Sequence, residues 1–176
     1  MLIGTLAASV QCRSHVREDK KTETERPADL SYEVRYLRPV SNPEYATQCG
    51  SCHFAYQPEL LPSGSWRKIL AGLEQHFGEE VIIDEESKKE ITDYFSSHGA
   101  ETSSAKLAVK IMKDLGDQTP FRITDISYIR EKHDDVLPRI LKQEVGVGSL
   151  SHCQACHQTA QEGNYDEDEV VIPGKS

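Results

Sequence analysis

Four of the chain's five cysteines fall in two copies of one short pattern. Cys49-Gly50-Ser51-Cys52-His53 and Cys153-Gln154-Ala155-Cys156-His157 each set two thiols three positions apart, with a histidine directly after. That spacing is the attachment signature of c-type haem. Two thiols add to the two vinyl groups of one porphyrin, and the adjacent imidazole reaches the iron from the same side as its proximal ligand. Neither half of the pattern is explained without the other. A zinc ribbon also uses two C-x-x-C knuckles, but with roughly 15–20 residues between them. Here about a hundred residues intervene. A thioredoxin-like thiol pair belongs inside a βαβ pattern, and none is visible. Structural disulfides would leave His53 and His157 unexplained. The expectation is therefore two covalently bound haem c groups, held by Cys49 and Cys52 and by Cys153 and Cys156. His53 and His157 are then the proximal iron ligands.

Composition agrees with a cofactor-filled fold. The 176 residues suggest one domain or two small ones. Only 7% are aromatic, so side chains alone make a modest core, and a porphyrin supplies missing apolar volume. No apolar run is long enough for a membrane bundle. Twenty Lys and Arg stand against 29 Asp and Glu, for a net charge of −9. That balance argues against nucleic acid as a partner and favours steering toward a basic protein surface.

Residues 1–11 are apolar and small, and read as a signal or anchor remnant ending before Cys12. Cys12 is a candidate for lipid attachment, although Ser9-Val10-Gln11 fits a lipobox poorly. Haem attachment of this type itself implies export, because in bacteria the ligation chemistry lies outside the cytoplasm. Residues 12–31 are charged, lack periodicity and read as a disordered linker carrying His15. Residues 32–116 then form an N-terminal haem domain and 117–176 a C-terminal one.

Patterning predicts a mainly α protein with extended arms. The motif at 49–53 is expected to open a short helix. Ser65 reads as the cap of a helix whose apolar stripe runs Trp66, Ile69, Leu70, Leu73 and Phe77, with His76 on that stripe and Gly78 at its end. Asp84 caps the next helix, with Ile91, Tyr94 and Phe95 inward and His98 continuing the face. A third helix begins at Ser103 or Ser104 and carries Leu107, Val109, Ile111, Met112 and Leu115. Asp125 is expected to cap a further helix with Tyr128, Ile129 and His133, which Pro138 breaks or kinks. The acidic run 166–169 reads as a solvated tail.

The sixth position of each iron can be approached by counting. The methionines are Met1 and Met112, so at most one haem takes a His/Met pair. Met112 is better read as packing on its helix face. Five further histidines remain: His15, His76, His98, His133 and His152. His15 lies in the linker, and His152 adjoins Cys153, so it suits only the other haem. His76, His98 and His133 each lie on a predicted apolar face. Sequence order favours His76 for the first haem and His133 for the second, with crossed ligation left open. Two nitrogen ligands close an iron to oxygen and peroxide and lower its potential relative to Met/His.

Three blocks carry a family resemblance: residues 49–79 (CGSCHFAYQPELLPSGSWRKILAGLEQHFGE), 121–136 (FRITDISYIREKHDDV) and 152–174 (HCQACHQTAQEGNYDEDEVVIPG). With them the chain resembles the dihaem cytochrome c family of bacterial periplasmic electron carriers. The resemblance implies an N-terminal part like a class I cytochrome c and a smaller C-terminal haem-binding part. It implies bis-histidine ligation of both haems, supports His76 and His133 as distal ligands and places His98 second. It also implies redox protein partners: an oxygen-binding monohaem c-type cytochrome as acceptor and a membrane cytochrome b as donor. Ser127 departs from the pattern, standing where proline is expected.

The resulting expectation is a periplasmic electron relay with no catalytic residues, in which Tyr56, Trp66, Phe77 and Tyr128 pack near the porphyrins. The rivals are a small dihaem peroxidase and a gas-binding haem protein. Both require one open iron.

Overall fold

The computed structural model describes residues 35–174 except 143 and 145. Cys12, His15 and the segments 1–11 and 12–31 lie outside the described residues. The architecture is mainly helical, and the described residues contain no strand, only an isolated bridge between His76 and Glu79. Six helices lie wholly within the described residues: α1 (Pro43–Gly50), α2 (Ser63–Ala71), α3 (Glu85–His98), α4 (Lys106–Leu115), α5 (Ser127–Glu131) and α6 (Leu137–Leu141). The region after α6 is built from short 3₁₀ turns.

Helix α1 starts where Asn42 accepts from the Tyr45 N–H at 2.7 Å and Pro43 fills the first turn. The first cysteine motif therefore closes a helix rather than opening one. Cys49 is on its last turn, and Cys52 and His53 lie in the turn beyond. Helix α2 also departs from expectation. Pro62, not Ser65, stands at its N-terminus, and Ser65 is fully buried inside the first turns with its hydroxyl unpartnered. The helix stops at Gly72, whose N–H bonds the Ile69 carbonyl, so His76 and Phe77 leave the helical stripe.

Helix α3 follows the sequence reading closely. Asp84 accepts from the Glu86 and Ser87 N–H groups, and Ile91, Tyr94 and Phe95 are buried. Helix α4 buries Ala108, Ile111 and Leu115 and ends at Gly116 in the left-handed region (φ 56°). Its Val109 is half exposed, so the inward stripe is narrower than predicted. Asp125 lies in a 3₁₀ turn and does not cap α5. Ser127 opens α5, in the position where proline is also well tolerated. Pro138 sits in the first turn of α6 and starts that helix instead of breaking it.

The main core lies where α2 and α3 cross and α1 packs on α3. Trp66 stacks on Phe95, with centroids 4.3 Å apart and planes within 10°. Tyr45 meets Phe95 edge-on at 4.8 Å. Buried polar ends are satisfied: the Trp66 indole N–H donates to the Pro58 carbonyl, and the Tyr45 hydroxyl to the Tyr56 carbonyl, both at 2.8 Å. A second, smaller cluster joins Ile140 and Val147 with Val136, Leu150, Ala155, Cys156 and Ile172.

One backbone contact joins the segment before α1 to the turns after the second motif. The Leu37 N–H donates to the Gly163 carbonyl at 3.0 Å, and Leu37 is fully buried. Gly163 has φ 78°, and a Cβ there would run into the Leu37 carbonyl. Only glycine fits.

Candidate haem sites

The two motifs sit in different settings. Cys52 and His53 are exposed, whereas Cys49 packs against the main core. Cys153 opens a 3₁₀ turn, and Cys156 packs on the smaller cluster. None of the four is joined in a disulfide. Burial pushes the Cys49 and Cys153 thiols up to about 11, and raises Cys156 as well. These shifts come mainly from desolvation of the charged form. A thioether carries no ionisable proton, and burial costs it no charge. The described residues also contain no cluster of three or more His, Cys, Asp or Glu side chains arranged for a metal ion.

Four histidines come together in two pairs. His53 faces His76 with ring centroids 6.0 Å apart, and His157 faces His133 at the same 6.0 Å. One metal bonded at about 2 Å to an imidazole on each side sets the ring centroids about 6 Å apart. The spacing therefore fits an axial pair in each site. His53 Nδ1 lies 2.7 Å from the Phe54 carbonyl, and His133 Nδ1 lies 2.6 Å from the Ile129 carbonyl. A carbonyl can only accept, so Nδ1 carries the proton in each ring. Nε2 is left with its lone pair free.

The remaining member of each pair is seated on an aromatic ring. His76 lies 4.8 Å from Phe77, and the Arg122 guanidinium caps the other ring at 4.0 Å. Phe77 has φ 54°, a left-handed conformation that costs energy for a bulky residue and is held here beside a site. His157 lies 5.4 Å from Tyr165. Burial holds His76 and His157 below the usual imidazole range, and the facing His53 and His133 add to the effect. Both rings are thereby kept neutral, the form that binds metal.

The other candidates are placed elsewhere. His98 Nδ1 bonds the Tyr94 carbonyl at 2.9 Å, and its ring packs on Tyr94 beside a small cavity bordered by Arg38 and Glu59. His152 is exposed, with Nδ1 2.6 Å from the Val147 carbonyl. Met112 is half-buried against the main core. None is paired with a motif histidine. Of the four aromatic candidates, Tyr56 lies 5.3 Å from His53 and Phe77 adjoins His76. Trp66 belongs to the main core, and Tyr128 meets Lys110.

Arg122, Gln57 and Tyr165 escaped the sequence reading. Arg122 sits outside any periodic element. Gln57 is fully buried, donating to the Ala160 carbonyl at 2.5 Å and accepting from the Tyr165 hydroxyl at 2.6 Å. Its neighbour Tyr56 donates to the Ser151 carbonyl at 2.8 Å. The dipeptide Tyr56-Gln57 thus joins the first site to the second.

Residues 45–165 match the family described as dihaem cytochrome c. No curated protein matches the chain. Among solved structures, a dihaem cytochrome c from Rhodobacter sphaeroides is 36% identical with a TM-score of 0.62, covering 74% of this chain and 99% of that one. A dihaem cytochrome type c from Shewanella baltica OS155 is 37% identical with a TM-score of 0.61, covering 76% of this chain and 94% of that one. The chain carries two covalently bound haem c groups and is a member of the dihaem cytochrome c family.

Proposed function

We propose that the chain relays single electrons in the periplasm, with both irons closed by histidine: His53 and His76 on the first haem, His157 and His133 on the second. The two facing imidazole pairs at 6.0 Å carry the reading. When bound, each haem supplies the one-electron ferric/ferrous couple. The chain's part is to hold it. Cys49, Cys52, Cys153 and Cys156 anchor the porphyrins. The Phe54 and Ile129 carbonyls fix the tautomers of His53 and His133. The aromatic seats of Phe77 and Tyr165 hold the facing rings. A site with both axial positions filled exchanges electrons but binds no substrate, which sets a carrier apart from a peroxidase or a gas-binding protein.

Export accords with the family and with the attachment chemistry. Among the described residues no helix is long and apolar enough to cross a membrane, and Cys12 remains a candidate for a lipid anchor. The charge of −9 favours a basic docking face on a redox partner, through a small transient interface. The family analogy names an oxygen-binding monohaem cytochrome c and a membrane cytochrome b as acceptor and donor. Affinity for such a partner should fall as ionic strength rises, and a salt-independent affinity would remove the electrostatic part of the proposal.

The deciding experiment is the optical spectrum of the reduced holoprotein with and without carbon monoxide. Two c-type haems per chain and no spectral change on adding the gas are expected. Binding at either haem in the native protein would reject closure of that site.

A further inference from the structure

The two imidazole pairs share a centroid spacing but not an orientation. The His53 and His76 planes lie within 19° of each other, whereas those of His133 and His157 cross at 65°. We infer that Tyr165, anchored by Gln57, is a positioning residue that holds His157 crossed to His133, and so makes the second haem electronically distinct from the first. The inference rests on the bis-histidine reading.

The argument begins with what orients each ring. His133 is fixed by its bond to the Ile129 carbonyl. No hydrogen bond to the His157 ring is present among the described residues. Its neighbours are His133 and the Tyr165 ring, 5.4 Å away and tilted by 56°. Tyr165 is itself pinned at its far end, because its hydroxyl donates at 2.6 Å to Gln57. Gln57 is fully buried and held through its amide to the Ala160 carbonyl, in the turn that follows the second motif. An immobile phenol therefore sets the plane in which the His157 ring can lie. The first pair follows the same plan, but its aromatic seat is Phe77, which is half exposed and has no hydroxyl to pin it. His53 is held by the Phe54 carbonyl, and His76 sits on Phe77.

Ligand planes matter because each imidazole donates π density to one iron d orbital. Parallel planes act on the same orbital and separate it from its partner, whereas crossed planes act on both and leave the two nearly equal. In the low-spin ferric state the first case gives a rhombic electron paramagnetic resonance signal. The second gives a strongly anisotropic signal with a large maximum g value.

Frozen ferric holoprotein should show both signals, one of each kind. Tyr165→Leu removes the ring seat and should shift the large-g signal toward the rhombic one while the other signal stays in place. Gln57→Leu keeps the tyrosine but frees its hydroxyl, and should give a smaller shift in the same direction. Tyr165→Phe retains the ring and should fall with Gln57→Leu. Two rhombic signals in the native protein, or variants that leave the large-g signal unmoved, would overturn the inference and leave the bis-histidine reading standing. A high-spin native signal whose haem binds carbon monoxide on reduction would sink that reading, and the inference with it.

Discussion

The first attachment motif begins on a helix and the second on a 3₁₀ turn. Cys49 rides on α1, which packs on α3 and through it on the Trp66–Phe95 stack. Cys153 opens a 3₁₀ turn, His157 follows it, and Cys156 packs on a small cluster centred on Ile140 and Val147. The helical site owes its rigidity to buried apolar area, which is plentiful around Tyr45 and Phe95. The turn-built site has little such area and relies on discrete polar links: Tyr56 to Ser151, Gln57 to Ala160 and to Tyr165, and Leu37 to Gly163. The same attachment motif thus occurs in two settings, because its thiols and adjacent histidine need only a local turn of the chain.

The sharpest way to break that comparison is to remove one haem. Replacing Cys153 and Cys156 by alanine should lower the haem content from two per chain to one while far-ultraviolet circular dichroism keeps most of its helical signal. That outcome is expected if the first site and the main core fold without the second porphyrin. Loss of both haems in that variant would show the two sites to be one folding unit. At the core of the first site, Phe95→Ala removes the partner of both Trp66 and Tyr45 and should cost about 3–5 kcal/mol in denaturant unfolding of the holoprotein.

The joint between the regions can be tested through Gly163. Adding a methyl group there meets the Leu37 carbonyl at a positive φ, so Gly163→Ala should cost about 2–3 kcal/mol. Limited proteolysis should then cut first near the second motif. The smallest effect is expected at the rim of the first site. Arg122→Ala removes the cation over Phe77 and should lower stability by about 0.5–1 kcal/mol, with both haems retained. A larger loss would mean that Arg122 holds the strained Phe77 turn in place and not merely its ring.

Local chemistry explains which features were legible beforehand. The two attachment motifs, their proximal histidines and the helical class follow from residue types at fixed short spacing. Asp84 and its helix were equally readable, since a capping carboxylate followed by an apolar stripe is a local signal. The helix through Ser65 to Gly78 was over-extended, because an apolar stripe does not reveal that Gly72 ends it and that His76 projects from a turn.

By itself the sequence determined the covalent chemistry, for thiols and imidazoles at neighbouring positions cannot be rearranged by folding. It also narrowed the facing histidines to a short set, through the near-absence of methionine. Only the tertiary structure shows which of them face a motif histidine. His76 and His98 both sit near apolar stripes, yet one meets His53 and the other packs on Tyr94. Gln57 and Tyr165 lie 108 positions apart, and their bond is visible only once the chain has closed on itself. Contacts of that range depend on how distant segments pack, which no local pattern encodes.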